Sequence, residues 1–184
     1  MSENDGIRRI QLPLRDPTPA ALQPYGVRVG ADATAPRHSA FYGESVELWS
    51  PGRFRSDSDT CLSVARVHPR QNEVTWMERH FKHTQAFIPM GGAPFVVVLG
   101  APTDTNVPHP DSVRAFHFDG SCGLLLHIGT WHEFPFATTQ AVDMVVVLRN
   151  ETNRDLEVRE NDEAIGGDLE KRNVRARLGL TFAF

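Results

Sequence analysis

The chain is interrupted too often for any long helix to form. Val46–Trp49, Cys61–Val67, Asn72–Arg79, Gln85–Pro89, Pro94–Leu99, Val113–Phe118, Gly123–Ile128, Phe134–Thr138 and Asp143–Leu148 are short β-type runs. Pro51-Gly52, Pro69, Gly91-Gly92 and a Pro-, Asp- and Thr-rich loop over 100–112 divide them. No strong helical periodicity occurs before residue 160. Short strands at this spacing predict an all-β sandwich or barrel and exclude a parallel α/β sheet. Pro94–Leu99 is continuously apolar, so it should be a strand buried on both faces. Ahead of this block, residues 1–7 read as a frayed end and Arg9–Leu14 as an edge strand. Asp16-Pro17-Thr18-Pro19 can start a short helix. Gly26–Gly30 reads as a strand and 31–39 as a loop.

Beyond Arg149 the composition changes. Residues 150–163 are strongly charged, Ile165-Gly166-Gly167 breaks any helix, and Ala176–Phe184 alternates like a strand. An apolar C-terminal strand must pair with this chain or with another subunit. We therefore expect one domain over 1–184, with a barrel core over about 10–150 and a charged C-terminal extension over 151–184. Nineteen basic and 23 acidic residues give a net charge of −4, with no Lys/Arg run, which argues against a nucleic-acid surface. Cys61 and Cys122 form no CxxC pair and suit two buried, reduced thiols. The first residues lack the apolar region of a signal peptide, and no apolar run approaches a bilayer span. A cytoplasmic protein without membrane contact is the expectation.

The densest chemistry lies in Trp76–Met90, WMERHFKHTQAFIPM. Side chains alternate along a strand, so Glu78 and His80 share a face. Gln85 is five positions beyond His80, an odd step. A turn or bulge through Phe81-Lys82-His83-Thr84 would let Gln85 rejoin that face from the next strand. Polar groups on the inner wall of a sheet are costly unless they have work to do. Carboxylate, imidazole and amide oxygen together suit a divalent Mn, Fe, Ni or Zn ion, or a small polar substrate; the competing reading is a solvent-facing hairpin.

His127-Ile128-Gly129-Thr130-Trp131-His132-Glu133 has a similar look. The Gly129-Thr130 turn could return His132 to the face of His127, with Trp131 packed outward or lining a pocket. Two inward His segments on facing strands would make one site. Arg66, Arg79 and Arg114 lie in or beside strands, where an inward guanidinium could anchor a substrate carboxylate. No GxGxxG, GxxxxGK, GxSxG or HExxH occurs.

Glu78-Arg-His80 followed by Thr84-Gln85-Ala-Phe-Ile-Pro-Met90 resembles the ureidoglycolate lyase family. Phe95–Val98, Arg114-Ala-Phe116, the Gly123…His127…Trp131-His132 block, Leu12-Pro-Leu14 and Pro24-Tyr-Gly26 are similar to it as well. The resemblance runs over about 10–150 and implies a cupin, a double-stranded β-helix or jelly-roll barrel, usually a homodimer. It implies a carbon–nitrogen lyase that cleaves ureidoglycolate, or a related ureido acid, to glyoxylate and urea in purine and allantoin nitrogen catabolism. His80 and His132 would be acid and base, and Gln85 a hydrogen-bond partner. Glu78, Arg79, Arg114, His127 and Trp131 would contact the small-molecule substrate. The cupin metal positions map onto Glu78, His80, Gln85 and His132, two of them altered. The polar neighbours of His127 become Leu126 and Ile128, and the usual Trp-His-His-Pro becomes Trp131-His132-Glu133-Phe134-Pro135. A metal-dependent cupin oxygenase or isomerase, or a non-catalytic binding barrel, are the competing readings.

Overall fold

A computed structural model describes residues 6–31, 35–160 and 162–184. Two sheets face each other and make a jelly-roll barrel of the cupin kind. The smaller has the order Gly26–Val29, Gly123–Leu126, Ala86–Met90, Val142–Arg149, Thr60–Val67. The larger runs Arg159–Glu160, Glu163–Ile165, Leu169–Asn173, Trp76–His80, Trp131–His132, Phe95–Gly100, Arg114–Phe118, Leu14–Arg15. Phe136–Ala137 also pairs with Phe95–Gly100. The inner core draws on both sheets: Phe95, Val97, Leu99, Phe116 and Phe118 meet Phe87, Leu124, Leu126, Met144 and Val146.

Strand alternation divides the larger sheet between two environments. Phe95, Val97 and Leu99 point into the barrel, while Val96 and Val98 point to a second apolar cluster on its outer face. Met77, Trp131, Phe136, Val174, Leu180 and Phe182 belong to that outer cluster. All of Phe95–Gly100 is buried, as a continuously apolar strand requires.

The C-terminal segment is built into this architecture. Residues 150–157 form a helix, which the charge run over 150–163 did not announce. Leu169–Asn173 pairs antiparallel with Trp76–His80, and Glu163–Ile165 pairs on its other side. Leu180–Ala183 pairs parallel with Arg8–Gln11 and antiparallel with Glu73–Val74. The apolar end therefore pairs within its own chain. Arg37–Ser39 and Gly43–Leu48 form a separate hairpin, so part of the segment expected as a loop is a strand. Cys122 is buried, whereas Cys61 is only half-buried. Residues 1–5 of the expected frayed end lie outside the described residues. Among the described residues no helix is long and apolar enough to cross a membrane.

Phe182 is fully buried and ties the last strand to the outer cluster. Its truncation, Phe182→Ala, should lower stability by about 3–5 kcal/mol in urea unfolding. A loss below about 1 kcal/mol would mean that the terminal strand contributes little to the fold.

Candidate active site

Glu78 and His80 lie on one face of Trp76–His80 and point into the barrel; both are buried. The chain then leaves the larger sheet for the smaller one, where it resumes at Ala86. The corner is fixed by backbone hydrogen bonds: Phe81 N donates to Asp168 O, Gly129 N to His80 O and Leu126 N to Gln85 O. The crossing brings Gln85 Oε1 to 3.0 Å from His80 Nε2. The odd five-residue step is thus a change of sheet, and Gln85 meets His80 as the spacing suggested.

His132 stands directly opposite Glu78 in the antiparallel register. The two polar segments are therefore neighbours within one sheet, not walls facing each other across the barrel. Gly129, at φ +83°, makes the turn that delivers His132. His132 Nδ1 lies 3.0 Å from Thr130 O. A carbonyl only accepts, so Nδ1 carries the proton and Nε2 of the neutral ring carries a lone pair. That Nε2 is buried, lacks a hydrogen bond and lies 3.5 Å from Glu78 Oε1. On the other side Glu78 Oε2 accepts from Lys171 Nζ at 3.0 Å. The His80 and His132 rings are 5.2 Å apart between centroids.

Other expected contributors lie elsewhere. Arg79 and Trp131 are on the opposite face of the sheet, in the outer environment. Arg79 Nε donates to Glu170 Oε2 at 2.8 Å and Nη1 to Thr103 O at 2.6 Å, while its guanidinium stacks 4.4 Å from the Trp131 ring. Trp131 Nε1 donates to Thr103 Oγ1. Both are one residue out of phase with the inward set, and a period of two decides the face. Arg114 shares the inward row but is separated from His132 by Leu99, and it donates to the carbonyls of Asp111 and Val113. His127 is exposed, with Nε2 3.2 Å from Gln23 O. The structure brings together Glu78, His80, Gln85 and His132, and leaves Arg79, Arg114, His127 and Trp131 outside that group.

Three residues join the cluster that the sequence did not single out. Lys171 comes from the charged extension, placed by its register opposite Glu78. Asp168 accepts at Oδ1 from Phe81 N and Lys82 N, and at Oδ2 from Thr152 Oγ1. His83 is wholly buried against Asp168, with its ring 4.5 Å from that of His80. The one available signal was His83 itself, three residues after His80 in a run otherwise read as a turn.

The charges are set by burial and by these partners. Burial alone would raise the Glu78 carboxyl, but its charged surroundings, the Lys171 ammonium foremost, hold it far below the usual carboxylate range. Burial is the main cause that pushes His80 down from 6.5 to about 3; His132 and His83 add to it, and Glu78 opposes it. Burial and the nearby Glu78 raise the Glu133 carboxyl, against the pull of Lys171. Glu78, His80 and His132 can each offer a ligand atom, all within 4.8 Å of one another.

A buried His80 that resists protonation makes stability depend on pH. Between about 6.5 and about 3 the unfolded chain binds a proton that the folded chain refuses. Stability is therefore full above pH 6.5 and falls as the pH drops through that window. Glu78, which must be ionised, adds a loss in the same direction at lower pH. Urea unfolding should show a slope of up to about 1.4 kcal/mol per pH unit below pH 6.5, flattened in His80→Gln. An unchanged slope in that variant would contradict this account.

The family profile described as Ureidoglycolate lyase matches residues 9–166. A curated ureidoglycolate lyase of Azotobacter vinelandii is 34% identical over 89 residues, 48% of this chain and 52% of that one. Another, of Escherichia coli strain SMS-3-5 / SECEC, is 37% identical over 92 residues, 49% of this chain and 56% of that one. The chain spans about half the length of the curated relatives it matches. A solved dTDP sugar isomerase of Desulfovibrio desulfuricans G20 aligns over 62% of this chain and 72% of that chain, with a TM-score of 0.37 and 21% identity, too slight a likeness to bear on the argument. The profile extends from the first strand through the helix over 150–157 and takes in the whole inward cluster except Asp168 and Lys171; the chain belongs to the ureidoglycolate lyase family.

Proposed function

We propose that the protein eliminates urea from ureidoglycolate, or from a closely related ureido acid, to give glyoxylate, with His132 moving the proton. The observation that carries this reading is the bare, buried Nε2 of His132, held in its tautomer by Thr130 O and flanked by an ionised Glu78. The carbon to be cleaved bears a hydroxyl and a urea nitrogen. His132 Nε2 takes the hydroxyl proton, the C–O bond becomes C=O, and the C–N bond breaks. The imidazolium then returns the proton to the leaving nitrogen, so no net proton is consumed. Glu78 stabilises the transient imidazolium, as a carboxylate beside a catalytic imidazole does elsewhere.

His80, neutral because it is buried and steadied by Gln85, serves as a hydrogen-bonding partner for the ureido group. Lys171 takes the role of carboxylate anchor that Arg79 and Arg114 cannot fill. Lys171, whose ammonium donates to Glu78, also lines a groove of about 540 Å³ together with Trp76, Leu156, Arg159, Asp162 and Ala164. That groove is the route by which substrate would reach the cluster. Glu78, His80 and His132 also suit a divalent Mn, Fe, Ni or Zn ion, since the unpartnered His132 Nε2 and the Glu78 carboxylate converge. Such an ion would take the His132 Nε2 lone pair and lower the pKa of the substrate hydroxyl, so it stands as an alternative to proton transfer by His132 and not as part of it. A cytoplasmic homodimer completes the reading.

One observation favours a second reading, a barrel that binds a ureido or 2-hydroxy acid without turnover: His80, His132 and Glu78 are all at most 4% exposed. Following glyoxylate release from ureidoglycolate separates the two. Release should exceed the spontaneous rate and fall about 10²–10⁴-fold in His132→Asn. Thermal stabilisation by ligand with no release above background, with or without added Mn²⁺, would leave binding alone.

A further inference from the structure

His83 has an environment that an ordinary core histidine does not. Its side chain is fully buried, and neither ring nitrogen makes a hydrogen bond. Nδ1 nevertheless lies 2.8 Å from Asp168 Oδ2. At that distance the carboxylate lies off the direction an N–H would need, so proximity without alignment is what remains to be explained. A buried imidazole with two unsatisfied nitrogens is expensive, and such groups commonly mark an ion or water.

Two ligands bound at a right angle to one d-block ion, each about 2.0–2.1 Å from it, lie about 2.9 Å apart. The His83 Nδ1 to Asp168 Oδ2 separation matches that edge. His80 supplies a third group, with one ligand atom each from His80, His83 and Asp168 mutually within 4.8 Å. The carboxylate is pre-aimed by two backbone N–H groups and by the Thr152 hydroxyl. These partners serve as the outer shell that orients ligands at metal sites.

We propose that His80, His83 and Asp168 bind a divalent cation that prefers imidazole, of the zinc, nickel or cobalt class. The site is separate from the Glu78, His80 and His132 group, although both draw on His80, and it does not depend on the lyase reading. It joins the corner at 81–84 to the C-terminal segment through Asp168, so the ion clips that segment to the barrel. Phe81 and Lys82, next to His83 in the chain, are exposed.

The test uses the full chain carrying Glu78→Gln, which removes the carboxylate of the other group. After EDTA treatment, Zn²⁺ or Ni²⁺ loading and gel filtration, this variant should keep about one equivalent and gain thermal stability. Adding His83→Asn or Asp168→Asn should reduce retention below about a tenth of an equivalent. Retention that survives both additions, or no retention in Glu78→Gln, overturns the site. If the double variants do not fold, imidazole ¹⁵N spectra of Glu78→Gln decide. Zn²⁺ should shift His80 and His83 and leave His132 in place; shifts at His132 without His83 overturn the proposal.

Discussion

The strand Trp76–His80 is packed on both faces, and that constraint governs the structure around it. Its outward residues, Met77 and Arg79, enter an apolar layer, and its inward residues, Glu78 and His80, enter the barrel. Water reaches neither side, so each polar group needs a partner from the protein. Glu78 obtains Lys171, and His80 obtains Gln85. Arg79 obtains Glu170, Thr103 and the face of Trp131. A strand of five residues thus calls on four other parts of the chain.

Two of those partners, Lys171 and Glu170, come from the C-terminal segment. Leu169–Asn173 lies beside the strand and presents Lys171 to its inner face and Glu170 to its outer face. Glu170 also accepts from Arg172, and Glu163 accepts from Arg172 and Arg177. These pairs hold the Glu163 carboxyl down to about 2, with the Arg177 hydrogen bond the largest cause. The dense charge of this segment serves buried pairing as well as solubility. Removing one member of such a pair leaves the other uncompensated, which is more damaging than the pair is stabilising.

Family membership and site geometry bear on different levels of function. The shared residues up to about 150 build the barrel and the Glu78, His80, Gln85 and His132 group. Asp168 and Lys171 lie beyond the matched residues 9–166, yet both touch that group or its neighbour His83. The proposed carboxylate anchor and the proposed ion site therefore draw partly on residues that the family profile does not include.

Short apolar runs broken by Gly and Pro determined the all-β class, and the period of two determined that Glu78 and His80 share a face; the same period sets Arg79, expected to contact substrate, on the other face. Those are local properties, set by backbone sterics and side-chain alternation. The continuous apolar run before Leu99 likewise announced a strand without a solvent face. Strand register was not legible, because it depends on which segments pair. Only pairing placed His132 opposite Glu78, left His127 at the surface, separated Arg114 from the cluster by Leu99, and brought Asp168 to His83. The sequence could name Glu78, His80 and His132 but not His83, Asp168 or Lys171, because long-range hydrogen bonding between strands chose which groups meet.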